Sequence, residues 1–264
     1  MGRIALGIEY DGTAYSGWQQ QAHRRTVQAE LEGALSRVAD HPVDLTAAGR
    51  TDAGVHALSM VAHFDSDAVR PLQAWVLGAN AESAPDIAVL WAQPVAAEFH
   101  ARYSARSRTY LYRILNRRMR PALERSRVCW VRQPLDAECM HEAAQALVGE
   151  HDFSSFRAAE CQSNTPMRRL TAIAVTRRGE AIDLVVTANA FLHHMVRNIA
   201  GTLMAVGRGD HPAEWVAALL TARDRTQAGV TAPPQGLYFV GAQYPSEFGL
   251  SSYTLPVPTS GAAR

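Results

Sequence analysis

The residue types best suited to chemistry stand together in Gly49-Arg50-Thr51-Asp52-Ala53-Gly54-Val55-His56. An apolar run from Val43 to Ala48, with the pattern of a strand, leads into this stretch, and a second, Val61 to Phe64, leads out of it. Its two glycines permit backbone turns closed to other residues, and loops carried on rigid strands are where reactive groups concentrate. An aspartate has an ordinary pKa of about 3.9, so Asp52 is ionised at neutral pH and can serve as nucleophile or base. Composition alone equally allows a plain turn, with Asp52 bonding its own backbone and Arg50 solvated. Far along the chain, Arg197 is set among Met195, Val196 and Ile199, where an unpaired charge is costly, so it reads as a paired group and not as one reaching to solvent from a helix end.

Other chemistries find no support. Cys129, Cys139 and Cys161 form no CxxC pair and are odd in number, which predicts reduced thiols in a cytoplasm and no zinc knuckle. His193 and His194 are adjacent; on a helix they would diverge by about 100°, unlike the i, i+4 histidines of a metal site. Gly207-Arg208-Gly209 follows a predicted helix where a dinucleotide loop would precede one, and no serine sits in a GxSxG elbow. Met1-Gly2-Arg3 leads straight into a strand pattern, so no signal peptide is expected, and no apolar run approaches the ~18 residues of a membrane span.

The formal net charge of the 264 residues is only +1, but its distribution is uneven. Ten arginines and one acid, Glu124, lie between Arg102 and Arg132, interleaved with Tyr103, Tyr110, Tyr112 and Trp130. Such a block is either a solvated strand face or a surface that tracks phosphates.

The elements that must position these groups follow from periodicity. Ile4, Leu6, Ile8 and Tyr10 alternate as a half-buried strand. Thr26 caps a helix with Val27, Leu31, Ala34, Leu35 and Val38 on one stripe, which His41-Pro42 stops. Pro71 opens a short helix, and 87–91 reads as a strand. From Arg106 to Asn116 a long strand places Tyr110, Tyr112 and Ile114 on one face. Asp136 caps a helix that Gly149 ends; 170–176 and 181–188 pair as a hairpin across Arg178-Gly179; 191–206 is a helix with few polar positions, hence buried; another spans about 212–220; and 237–244 is the last strand. Each half reads strand, helix, strand, strand, helix, strand, the split βαβ or ferredoxin-like order, with a long loop, 151–169, inserted in the second. The expected fold is α+β: two ferredoxin-like halves, 1–103 and 104–245, joined into a central antiparallel sheet with helices on one side, a cleft between the halves, and a flexible tail at 246–264.

At this point seven motifs fall in register. IEYDGTAYSGWQ, GRTDAGVH, FHARYSA, RTYLYRI, GEHDFSSFR, FLHHMVRN and GLYFV together resemble the tRNA pseudouridine synthase A family, over roughly residues 4–244. The resemblance implies isomerisation of uridine to pseudouridine at positions 38, 39 and 40 of the tRNA anticodon stem-loop, without cofactor or metal, by a cytoplasmic homodimer whose tRNA reaches across both subunits. It implies Asp52 as the catalytic residue, Tyr110 stacking on the target base, Arg197 pairing with the aspartate and Arg50 assisting base flipping. RNA contacts carry over to Phe99, His100, Ala101, Arg102 and Tyr103 and to Glu160, Cys161, Gln162, Ser163 and Asn164, with Arg70 and Arg118 as further candidates. Met60 stands where a glutamine is usual, and Asn164 where a basic residue is often found. Strand geometry alone leaves Tyr110 and Tyr112 equal as stacking platforms; only the resemblance prefers Tyr110. The same arginine block would also serve a non-catalytic RNA-binding protein or RNA chaperone, to which Asp52 would be indifferent.

Overall fold

A computed structural model describes residues 2–250. The alternating run at the start forms β1 (Gly2–Tyr10), flanked on one side by β3 (His56–Ser66) and on the other by β4 (Ile87–Val95), both antiparallel to it. Neighbours on both edges and cover on both faces explain why the strand is buried almost throughout. Thr26 caps α1 (Val27–Ala39), its hydroxyl accepting from Ala29 N–H, and α1 packs on α2 (Leu72–Glu82), which lies along β4.

The second stretch builds on β5 (Ser107–Asn116), antiparallel to β9 (Ala181–Ala188), which pairs with β8 (Met167–Arg178). Asp136 accepts from Glu138 and Cys139 N–H and so caps α3 (Ala137–Gln145), which packs on β8. The helix α4 (Met195–Gly207) packs on α3 and β5, and α5 (Trp215–Ala222) follows. Every residue of α4 is buried except Arg197, the only charge it carries.

The strands form one ten-stranded sheet, ordered β4-β1-β3-β10-β5-β9-β8-β7. Here β10 is Leu237–Gln243 and β7 is Gly149–Asp152; β2 (Thr46–Ala47) pairs with β3, and β6 (Cys129–Val131) with β5. The last strand, β10, thus joins the strands of the first hundred residues to the rest. It is antiparallel to β5 and runs parallel to β3 over Tyr238↔His56 and Phe239↔Ala57. The sheet is therefore mixed where an antiparallel one was expected, because β3 and β5 run in opposite directions and the strand between them is parallel to one.

Four expectations need correction. The strand expected at 43–48 is reduced to the two residues of β2, which alone pair in register with β3, although Ala48 N–H still donates to Val61 O. The inserted loop at 151–169 is bounded by strand at both ends, in β7 and the start of β8, whose polar exposed sequences hid them. The helix expected from 191 begins only at Met195, because His194 has a left-handed backbone (φ 61°) that no helix accepts. Residues 246–250, expected in a loose tail, instead begin with a turn, Ser246–Phe248, whose Phe248 ring sits 5.2 Å from Phe99; the remainder of that tail, 251–264, lies outside the described residues.

Candidate active site

The loop carrying Asp52 is gripped from beneath by the loop after β1. Trp18 N–H donates to Thr51 O at 3.0 Å, Tyr10 and Thr51 share a hydroxyl hydrogen bond of 2.7 Å, and Gly54 N–H reaches Tyr15 O at 3.3 Å. The approach is so close that glycine is required: at Gly17 (φ 98°) a Cβ would lie 2.6 Å from Thr51 O, and at Gly12 it would overlap Val55 O. His56 closes the loop, accepting from Gly12 N–H at 3.1 Å through Nδ1 and meeting Ser126 O at 2.9 Å through Nε2. Burial holds its imidazole below the ordinary pKa, which suits the neutral form these bonds require.

Across from this loop stands α4. Arg197 Nη1 donates to Asp52 Oδ2 at 3.2 Å, and its Nε donates to Ala232 O at 2.8 Å. The segment bearing Ala232 is pressed onto the helix: Ala232 N–H returns to Arg197 O, Gly229 N–H reaches Thr202 Oγ1, and any Cβ at Gly201 would strike Val230 O. Two further groups meet the same carboxylate, His193 Nε2 at 3.4 Å from Oδ1 and His194 Nε2 at 3.3 Å from Oδ2. They converge because His194 turns in the left-handed region before the helix starts, bringing the rings 4.0 Å apart at 34°. The divergence expected of adjacent helical residues does not apply. Burial lowers the pKa of His194, and the Asp52 charge opposes that shift.

Asp52 keeps 26% of its side-chain surface and Arg197 only 14%, so the pair sits at the wall of a cleft and not in the core. The cleft encloses about 1040 Å³, ample for a nucleotide. Tyr110 lines it, wedged edge-on between Phe191 (4.9 Å) and Phe239 (5.3 Å). Burial, aided by the Asp52 charge, raises the pKa of its phenol, which stays protonated. Tyr112 is fully buried and spends its hydroxyl on Pro233 O at 2.8 Å, so the two tyrosines are not equivalent.

Arg50, Arg102, Tyr103, Glu160, Cys161, Gln162 and Ser163 also line the cleft. Arg50 is exposed, and among the described residues its guanidinium makes no hydrogen bond or ion pair. Tyr103 is 77% exposed, with the His100 ring 4.3 Å away, tilted by 33°, and the Arg102 guanidinium 5.7 Å from its ring. Phe99 and Ala101 are fully buried, and Phe99 packs on Tyr244 and Phe248; their side chains belong to the core. Asn164 is exposed but outside the cleft, as is Arg118 beyond the end of β5. Arg70 follows the far end of β3 from Asp52, roughly 33 Å along the strand, and caps Val38 O at the end of α1. Sequence reasoning missed His193 and His194 as neighbours of Asp52, and also Arg108. That arginine donates to Ala48 O, Ala105 O, Asn189 O and Arg102 O, tying three loops together at the cleft wall. All three lie inside motifs singled out above, FLHHMVRN and RTYLYRI, and that was the only available signal.

A family profile described as tRNA pseudouridine synthase matches residues 7–104 and 143–245. The chain is 58% identical over 250 residues to tRNA pseudouridine synthase A of Xanthomonas oryzae pv. oryzae (strain PXO99A), covering 94% of this chain and 97% of the relative. This chain belongs to the tRNA pseudouridine synthase A family. Tyr10, Trp18, Asp52, His193, His194 and Arg197 all fall inside the two matched segments of that family profile, and Tyr110 lies between them. A second relative, tRNA pseudouridine synthase A of Methylococcus capsulatus (strain ATCC 33009 / NCIMB 11132 / Bath), is 57% identical over 249 residues, covering 94% of this chain and 92% of its own. No helix among the described residues is long and apolar enough to cross a membrane.

Proposed function

We propose that the protein isomerises uridine to pseudouridine in tRNA, at positions 38, 39 and 40 of the anticodon stem-loop, with Asp52 as the catalytic residue. The observation that carries this reading is the carboxylate of Asp52, presented at the wall of an arginine-lined cleft and held by the anchored guanidinium of Arg197 beside Tyr110. The reaction breaks the bond between uracil N1 and ribose C1′, joins C5 to C1′, removes the C5 proton and places one on N1. It balances without oxidant, reductant or co-reactant.

Asp52 acts as nucleophile or base, on the ribose carbon or on the uracil ring. Arg197 holds the Asp52 carboxylate through a charge-assisted hydrogen bond and fixes its orientation in the cleft. Removing uracil from its stack costs a few kcal/mol. Stacking on Tyr110 offsets roughly 1–3 kcal/mol of it, and Arg50 fills the vacated space. Arg102, Tyr103 and residues 160–164 follow the RNA backbone, with the 99–101 backbone supporting them. Arg70 and Arg118 touch more distant parts of the tRNA. The strands on either side of β10 act as two ferredoxin-like halves, 1–103 and 104–245. The protein works in the cytoplasm as a homodimer with tRNA reaching across both subunits.

Incubation with unmodified tRNA, followed by carbodiimide-dependent primer extension, maps any pseudouridine formed. Stops at the three positions with wild type and none with Asp52→Asn are expected. Tight tRNA binding without any stop would leave an RNA-binding protein or chaperone as the function.

A further inference from the structure

We propose that Asp52, His193 and His194 form a binding site for a divalent transition-metal ion of the zinc class, and that an ion held there blocks the site. The metal site goes beyond the isomerase reading; only the blocking rests on it.

The donor atoms, one from each residue, all lie within 4.8 Å of one another, and they are the only such group of three among the described residues. His193 Nε2 is 3.4 Å from Asp52 Oδ1, and His194 Nε2 is 3.3 Å from Asp52 Oδ2. A tetrahedral ion with bonds of about 2.0–2.2 Å holds its donors about 3.3–3.6 Å apart, so these pairs already stand at coordination spacing. The left-handed backbone at His194 sets the rings side by side without any rearrangement of α4. Two imidazoles with one carboxylate are a donor set that zinc and its neighbours favour, whereas magnesium and calcium demand oxygen shells. Three protein donors leave a fourth position open towards the cleft.

One feature weakens the site. Arg197 Nη1 lies 3.2 Å from Oδ2, so an ion and a guanidinium compete for the same carboxylate. The other oxygen, Oδ1, faces His193 and has no bond from Arg197. An ion bound there would occupy the lone pairs of Asp52 and the space beside Tyr110 that a uracil needs.

Calorimetric titration of the EDTA-treated full-length protein with zinc chloride, and separately with magnesium chloride, tests the site without reference to catalysis. Wild type should bind one zinc per chain and no magnesium. His193→Gln and His194→Gln should each weaken zinc binding at least tenfold, and the double variant should abolish it. Both side chains are partly exposed, at 38% and 27%, and circular dichroism verifies that the variants fold. No zinc heat with wild type, equal binding of magnesium, or a double variant within twofold of wild type overturns the site. In zinc-buffered assays at subsaturating tRNA, pseudouridine formation should fall at least tenfold and return with EDTA. A bound zinc that leaves the rate unchanged overturns the blocking. A protein without isomerase activity would refute the proposed function, while the calorimetry still decides the metal.

Discussion

Arg197 is anchored to Ala232 O through Nε at 2.8 Å and meets Asp52 Oδ2 through Nη1 at 3.2 Å. One guanidinium thus fixes a backbone segment and a carboxylate at once, from a helix in which every other residue is buried. The two bonds leave from separate nitrogens of a rigid planar fork, whereas an ammonium carries all its donors on one atom at the end of a flexible stem. Arg197→Lys is therefore expected to lower the single-turnover rate at saturating tRNA at least tenfold, although the charge is conserved. A rate within twofold of wild type would reduce Arg197 to a point charge.

Asp52→Asn removes the charge and keeps the shape. Its side chain is partly exposed and its loop is held by backbone bonds from Trp18 and Tyr15, so folding does not depend on the carboxylate. Pseudouridine formation should disappear, with thermal stability and tRNA affinity near wild type. A variant that retains a tenth of the wild-type rate takes Asp52 out of the chemistry.

The two tyrosines of β5 should separate cleanly. Tyr112→Phe leaves Pro233 O without its buried donor, which costs about 1–3 kcal/mol of stability and should leave the saturated rate alone. Tyr110→Phe should leave stability alone; its rate falls by most of its value if the cleft-facing phenol moves a proton, and largely survives if the ring only stacks. Urea unfolding and single-turnover assays on both variants measure this, and the reverse pattern would mean that Tyr112 serves the site.

How much of this could be read from the chain depended on whether the signal was local. Thr26 and Asp136 announced their helices because a side chain that accepts from nearby N–H groups is a contact between sequence neighbours. The partnership of Asp52 and Arg197, 3.2 Å apart, was indicated by the resemblance of their motifs; the apolar setting of Arg197 says only that its charge needs a partner, not which one. His193 and His194 were misjudged because one left-handed residue, His194, moved the start of α4 by a turn, and periodicity is blind to that. Phe99 was assigned to RNA because FHARYSA is a motif, and a motif does not say which of its residues face inward; Tyr244 and Phe248, far along the chain, bury it. The parallel seam between β3 and β10 was invisible for the same reason, being a pairing of residues about 180 positions apart.

His63 gives a pH dependence of stability. It is buried, accepts from Ala101 N–H at 3.1 Å, and its pKa falls to about 4, chiefly through burial and then through the Arg3 charge. Between pH 6.5 and 4 the unfolded chain takes up a proton that the folded chain refuses. Stability should therefore be complete above pH 6.5 and decline as pH falls through this window, by up to about 3 kcal/mol. Neighbouring Asp65 titrates lower, since its hydrogen bond from Arg3 holds its carboxylate below the usual range. Urea midpoints of wild type and His63→Gln from pH 7 to 4.5 compare the slopes; an equally steep decline in the variant would assign the effect to another group.

The last prediction concerns which arginines meet phosphate and which meet the base. Arg102 and Arg50 both line the cleft, while Arg118 lies outside it. An arginine on a phosphate releases a counterion, so its loss should flatten the log–log salt dependence of tRNA binding by about one unit on duplex and less on single strands. Arg102→Ala and Arg118→Ala should each weaken binding and lower that slope, with little change in the single-turnover rate at saturating tRNA. Arg50 stands two residues from Asp52, exposed and without a protein partner among the described residues, as a group that enters the space of a displaced base would. Arg50→Ala should depress the saturated rate by a larger factor than it weakens binding. Salt titrations beside single-turnover rates for the three variants decide the matter. Loss of affinity and slope with an intact rate would make Arg50 another phosphate contact, and base flipping would have to be assisted from elsewhere in the cleft.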